Sequence, residues 1–340
     1  MKFLATTAML AALATPALAE GELNIFTWGN YTNPEAIKKF EAETGIKVTI
    51  TDYDSNDAAL AKVEAGGHGF DIVVPSANYV PVFAEKGLIQ ELDHARLPSF
   101  GNIEPRWVDV EWDPGRKFSI PYLWGVTALA VNTKVYGGDI NDSDVVFDPP
   151  EELAGKLNVI PEMSDVMSLA IFNQGGEYCT EDLEVLKRVR DMLMAAKPKW
   201  ISMEYSAIEP LTNGNIAGSI TWNGAGMRAR LGNPDVAYGF PVQGYPMFMD
   251  SLAILADAKN TDNAYRFLEF ALQPENAALF SAFAKYSNGI AGSEEFLPED
   301  MRTAPEVNIP DEILANGHFL QRCQGKGYEY MTAIWTELQK

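Results

Sequence analysis

The sequence predicts an α/β protein of two lobes, and three observations carry that reading. From Leu23 to Pro75, short apolar runs alternate with amphipathic stretches in the order strand, helix, strand, helix, strand, the signature of an α/β unit. A second unit of the same kind follows a crossover near Gly125. The chain has 340 residues, and that length suits two domains, each able to bury its own core.

Taken in order, Leu23-Asn24-Ile25-Phe26 reads as a strand. Asn33-Pro34 supplies a helix cap and first position, and that helix runs to Thr44 with Gly45 as its stop. The β-branched content of Ile46 to Ile50 marks a second strand. Asp57 to Glu64 reads as a helix ending at Gly66-Gly67, and Phe70 to Pro75 as a continuous apolar strand of the buried parallel type. In the second unit, Leu157 to Ile160 and Ala217 to Trp222 are strands, and Asp165 to Gln174 and Glu181 to Ala196 are helices. Asp250 to Leu255 is a strand leading back. Asp262 to Tyr286 forms one or two helices with an apolar face of Phe267, Phe270, Leu279 and Phe283, and Tyr328 to Leu338 is a last helix.

The N-terminus reads as a secretory leader. Met1-Lys2 leads into the apolar run Phe3 to Leu13, too short to span a bilayer, and then into Pro16-Ala17-Leu18-Ala19. The small residues Ala17 and Ala19 place the cut after Ala19, and no cysteine lies near it to take a lipid. Residues 1–19 are therefore the expected signal peptide. The net charge of -21 becomes -22 on loss of Lys2, because the leader holds no acid. So acidic a surface argues against nucleic acid and anionic membranes and favours cationic partners.

The chain's motifs exclude more functions than they support. Asp52-Tyr53-Asp54-Ser55-Asn56 begins like a calcium loop, but Asp57 and Val63 stand where such a loop needs Gly and Glu, so the segment reads as a turn and helix cap. Gly224-Ala225-Gly226-Met227-Arg228-Ala229 matches a loose dinucleotide fingerprint and reads as a tight strand-to-helix turn. His68, His94 and His318 are scattered through polar contexts that suit surface or capping roles. Cys179 and Cys323 allow either a disulfide in an oxidising compartment or two separate thiols, and their spacing is no metal or redox motif. No nucleophile–base set and no cofactor motif can be assembled, which argues against an enzyme.

What remains is a set of aromatics and carboxylates at strand C-terminal ends, where open α/β sheets bind ligands. Trp28 and Tyr31 follow the first strand and Ser76 the third; Glu162 and Asp165 follow the first strand of the second unit. Trp222 ends a later strand, and Asp250 sits at the return crossing. Rings hold methylenes and attract ammonium through their faces, and carboxylates add charge-assisted hydrogen bonds, so the set suits a slender cation.

Several stretches together resemble the periplasmic spermidine/putrescine-binding proteins of polyamine ABC importers, across nearly the whole length beyond the leader. They are Phe26 to Tyr31, Glu43 to Val48, Tyr53 to Asn56, Phe70 to Ser76, Ile120 to Gly125, Trp222-Asn223-Gly224 and Phe248 to Ala253. The resemblance implies a type II periplasmic-binding fold that closes on ligand between its lobes. It implies residues 20–125 and 251–296 for the first lobe and 126–250 and 297–340 for the second. Carried over by position, Trp28, Tyr31 and Ser76 match first-lobe contacts, Glu162 and Asp165 a pair of acids for ammonium, Trp222 a stacking wall, and Asp250 an acid at the amine.

Four positions depart from that pattern. Asn30 stands where an acid is usual, Asn78 where spermidine binders carry Tyr, Phe248 in place of Trp, and Leu320 in place of a polar Gln. The expected function is thus a monomeric, periplasmic solute-binding protein that needs no cofactor and delivers a polyamine or related amine to a membrane permease. Asn30 points to a ligand shorter or less charged than spermidine. Relatives of this fold that take sulfonates, opines, thiamine or metal ions keep other solutes open, and exported enzymes and chemosensory carriers share the fold.

Overall fold

The computed structural model describes residues 21–340, so the expected leader and its cut after Ala19 lie outside the described residues. Ten strands are β1 (Glu22–Trp28), β2 (Lys47–Tyr53), β3 (Ile72–Val73), β4 (Ile120–Asn132), β5 (Leu157–Asn158), β6 (Trp200–Ser202), β7 (Gly218–Trp222), β8 (Val236–Gly239), β9 (Tyr245–Ile254) and β10 (Gly317–Phe319). The longer helices are α1 (Pro34–Thr44), α2 (Asn56–Glu64), α3 (Met163–Asn173), α4 (Leu183–Ala196), α5 (Asn223–Gly232), α6 (Thr261–Ala271), α7 (Pro274–Ala284) and α8 (Gly325–Leu338).

The strands run in the order β2-β1-β3-β9-β4-β7-β5-β6, with β10 beside β9 and β8 beside β4. Its two wings are parallel: β1 pairs with β2 and β3, and β5 with β6 and β7. Between them lies an antiparallel seam, because β3, β4 and β9 pair antiparallel in turn. Strand β4 joins the halves. Its Ile120–Val126 stretch pairs with β9, and Thr127–Asn132 pairs with β7 and β8.

Gly125 lies at that crossing for a steric reason. A Cβ there would stand 2.3 Å from Asn223 Oδ1 and 2.9 Å from Phe248 Cζ. The same Asn223 oxygen accepts the Val126 amide at 3.0 Å. The strand can therefore pass between the start of α5 and the aromatic wall only without a side chain.

Local signals account for most elements. The Asn33 side chain caps α1, Pro34 is its first residue, and Gly45 closes it in the left-handed conformation. Ser55 caps α2 as expected, accepting the Ala58 amide at 3.2 Å, while Asp52 and Tyr53 of the calcium-like stretch belong to β2. Two expectations need correcting. Only Ile72–Val73 of the Phe70–Pro75 run makes a ladder, because Asp71 turns its carboxylate onto the amides of Asn24 and Asn260 and Pro75 has no N–H to give. The Gly224-containing segment is not a turn, since β7 passes straight into α5. Gly224 is there because a Cβ would meet the Ala284 carbonyl oxygen at 2.5 Å.

The apolar stripe expected across residues 262–286 also changes. The break at Gln273-Pro274 resets the helical phase, so α7 buries Ala277, Phe280 and Ala284 while Leu279 and Phe283 are only partly covered. Phe40 of α1 packs edge-on against Phe267 and Phe270 at 5.2 and 5.4 Å, forming one core. In the other half α3 is buried from Met163 to Phe172. Cys179 and Cys323 form a disulfide that fastens the loop after α3 to the segment before α8.

Candidate functional site

A cavity lies between the two halves. Trp28, Tyr31, Ser76, Glu162, Asp165, Trp222, Phe248 and Asp250 all line it, together with Asn56, Ser164, Tyr205, Tyr286 and Leu320. Three carboxylates face this space, and no Lys or Arg lines it.

Each acid is fixed by its element. Asp250 lies in the middle of β9 and is buried, accepting from Tyr31 Oη at 2.7 Å and Ser76 Oγ at 2.6 Å. Ser76 meets it because the short β3 segment continues into a single bridge with Asp250. Burial pushes the Asp250 carboxyl up to about 7, against the pull of its two hydroxyl donors; the nearby Asp165 adds to the rise. Glu162 precedes α3 and Asp165 stands in its first turn, where unpaired amides favour negative charge. Asp165 accepts from Thr127 Oγ1 at 2.8 Å and Trp222 Nε1 at 3.1 Å, and burial still raises it to about 6. Glu162 is pushed well above the usual carboxylate range by burial first, then by the charges of Asp165 and Asp57; the Asn56 amide donates to it at 3.3 Å. Three buried acids thus face one space that no Lys or Arg lines. A cationic ligand would relieve that desolvation.

The walls between them are aromatic. The Trp28 and Trp222 rings lie 6.4 Å apart, Tyr205 packs on Trp222 at 5.2 Å, and Phe248 meets Tyr286 edge-on at 5.5 Å. Trp28 is held by its indole N–H on the Val74 carbonyl oxygen at 3.0 Å. Rings in such positions offer faces to methylenes and ammonium.

Two of the expected site residues lie off this cavity. Asn78 is buried, donates to Ser164 Oγ at 3.1 Å and lines a separate space beside Tyr178 and Tyr328. Asn30 is exposed in the left-handed conformation (φ 57°), which Asn tolerates better than most residues. Its carbonyl and side-chain oxygens accept from Arg228 at 3.2 and 3.0 Å.

Asn30–Arg228, Asn78–Ser164, Asn56–Glu162 and Tyr205 Oη to the Gly29 carbonyl oxygen at 3.1 Å all span the cleft, which is therefore closed. Sequence reasoning missed Tyr205 and Tyr286, which sit in irregular segments where no periodicity marks a lining position. Ser164 lay between two acids already singled out, and its place in the first turn of α3 was the available signal.

The family model for bacterial extracellular solute-binding proteins matches residues 35–308. The chain belongs to that family. Among relatives of this solute-binding protein, the spermidine/putrescine-binding periplasmic protein 1 of Haemophilus influenzae is 28% identical, covering 95% of this chain and 90% of its own. The putrescine-binding periplasmic protein PotF of Escherichia coli is 29% identical, covering 97% of this chain and 95% of its own. Among solved structures, a protein from Listeria monocytogenes assigned to a spermidine/putrescine ABC transporter superposes with a TM-score of 0.88 at 30% identity, covering 94% of this chain and 98% of that one. The two-lobed fold is that of type II periplasmic-binding proteins. Among the described residues no helix is long and apolar enough to cross a membrane.

Proposed function

We propose that this solute-binding protein captures a small polyamine, putrescine-like in length, in the closed cleft and passes it to the membrane permease of an ABC importer. The observation that carries the reading is the lining itself: three buried carboxylates and an aromatic box with no cationic side chain among them. An alkyl diamine fits that chemistry, its methylenes against Trp28, Trp222 and Phe248 and its ammonium groups on Asp250 and on the Glu162–Asp165 pair. The names of the relatives, which bind putrescine and spermidine, support the same class.

In this reading residues 20–125 with 251–296 and residues 126–250 with 297–340 are the two lobes, and they turn about the β4–β9 crossing. The protein acts as an exported monomer in the periplasm, and the ligand leaves chemically unchanged. Melting the protein beyond Ala19 against diamines, triamines, amino acids and sulfonates tests the ligand class, because a ligand specific to the folded form raises its stability. A shift with sulfonates alone sinks the proposal. Recovery of a chemically altered amine after incubation sinks its non-catalytic part.

A further inference from the structure

A second chamber adjoins the acidic cavity and shares Tyr31, Tyr205, Trp222 and Tyr286 with it. Its charged lining residue is Arg228. The half-buried guanidinium sits 5.3 Å over the Phe283 ring and gives two hydrogen bonds to Asn30. Among the described residues it forms no ion pair. Burial lowers its pKa, and the titratable groups that act on it are the neutral Tyr286 and Tyr205 hydroxyls. Asp52 and Asp54 reach Tyr205 but do not line the chamber.

Asn30 matters because it is neutral. An amide oxygen orients the guanidinium without cancelling its charge, and the N–H groups left over from its five are available to an acceptor. The closed cleft is therefore polarised end to end, with three carboxylates in one chamber and an uncompensated cation in the next.

Resting on the reading of the cleft as an amine site, we infer that Arg228 determines specificity at the second chamber. It excludes a further ammonium there and accepts a ligand end that is a hydrogen-bond acceptor, a carbonyl or carboxylate. A diamine held among the acids is tolerated. A triamine is disfavoured because its third charge enters beside the guanidinium, where like charges repel and neither is fully solvated.

Calorimetry with spermidine and its two monoacetyl derivatives tests this, because acetylation converts one terminal ammonium into a neutral acetamide that carries a carbonyl acceptor. The parent should bind at least one monoacetyl form tenfold or more tightly than spermidine. Arg228→Gln should reduce that ratio to threefold or less, Arg228→Glu should reverse it, and Arg228→Lys should keep it. Asn30→Asp, which gives the guanidinium a counter-charge, should also lower it and serves if Arg228→Glu does not fold. A residue that merely latched the lobes would weaken both ligands together and leave their ratio intact. A ratio unmoved in Arg228→Gln and Asn30→Asp, or a parent that prefers spermidine, overturns the inference. Failure of every amine to bind the parent, putrescine included, overturns the amine-site reading beneath it.

Discussion

Trp222 donates its indole N–H to Asp165 Oδ2 at 3.1 Å, so one contact fixes an aromatic wall of the cavity and one of its carboxylates relative to each other. The two arrive from different elements, the end of β7 and the first turn of α3. Thr127 of β4 holds the other oxygen of the same carboxylate at 2.8 Å.

Replacing Asp250 should hurt ligand binding more than folding. In Asp250→Asn one of the Tyr31 and Ser76 hydroxyls keeps an oxygen acceptor, the other can turn to accept from the new NH2 group, and the charge is lost. Removing one member of a buried charge pair costs about 2–5 kcal/mol, so affinity for putrescine should fall at least thirtyfold. The ligand-free protein should melt no lower than the parent, because a desolvated carboxylate is gone. Calorimetric affinity equal to the parent's would remove Asp250 from the ammonium site.

Trp222→Ala should lower affinity with a modest change in ligand-free stability, because this ring is only partly buried and lines a cavity. Truncating a packed core Trp costs about 3–5 kcal/mol. Trp222→Phe separates the two roles of the residue. It keeps a ring on the wall but deletes the donor to Asp165, whose pKa should then rise further above about 6. A melting loss as large as that of a core Trp would return Trp222 to the structural core.

The pH dependence follows from three raised carboxyls. Asp165 near 6, Asp250 near 7 and Glu162, also raised, all bind protons more tightly when folded than in the unfolded chain, where carboxyls titrate near 4. Their contribution to ligand-free stability is complete below about pH 4 and is lost as pH rises toward 7. Binding of a cation runs the other way, since it needs the ionised acids. The melting shift produced by a fixed putrescine concentration should grow from pH 5 to pH 8. An equal shift at both ends would mean that these groups do not titrate around the ligand.

Reduction of the Cys179–Cys323 disulfide should destabilise the protein and loosen one wall of the site. The bond closes a loop of 144 residues and anchors the segment that carries Leu320 into the cavity. A cross-link over so long a loop contributes about 2–5 kcal/mol. Cys179→Ser with Cys323→Ser should therefore lower the melting temperature and weaken putrescine binding together. Unchanged affinity would show that Leu320 is held by packing alone.

Elements whose signals are local were legible before any tertiary contact was known. Asn33-Pro34 and Gly45 bound the first helix, Ser55 caps the second, and the alternation of strands and helices declares the α/β class. Seven of the lining residues were also legible from their expected places at strand ends and helix starts, and Phe248 through the family resemblance.

Tertiary structure alone decided the rest. The antiparallel seam of β4 and β9 depends on which distant strands pair, and no local propensity encodes that choice. Tyr205 and Tyr286 reach the cavity from irregular segments, and Asn30 turns to Arg228, a residue 198 positions away in sequence. Whether Cys179 and Cys323 pair was likewise open until the fold brought the loop after α3 against the segment before α8. In each case the deciding contact joins residues far apart along the chain, and its energy exists only once the intervening structure has packed.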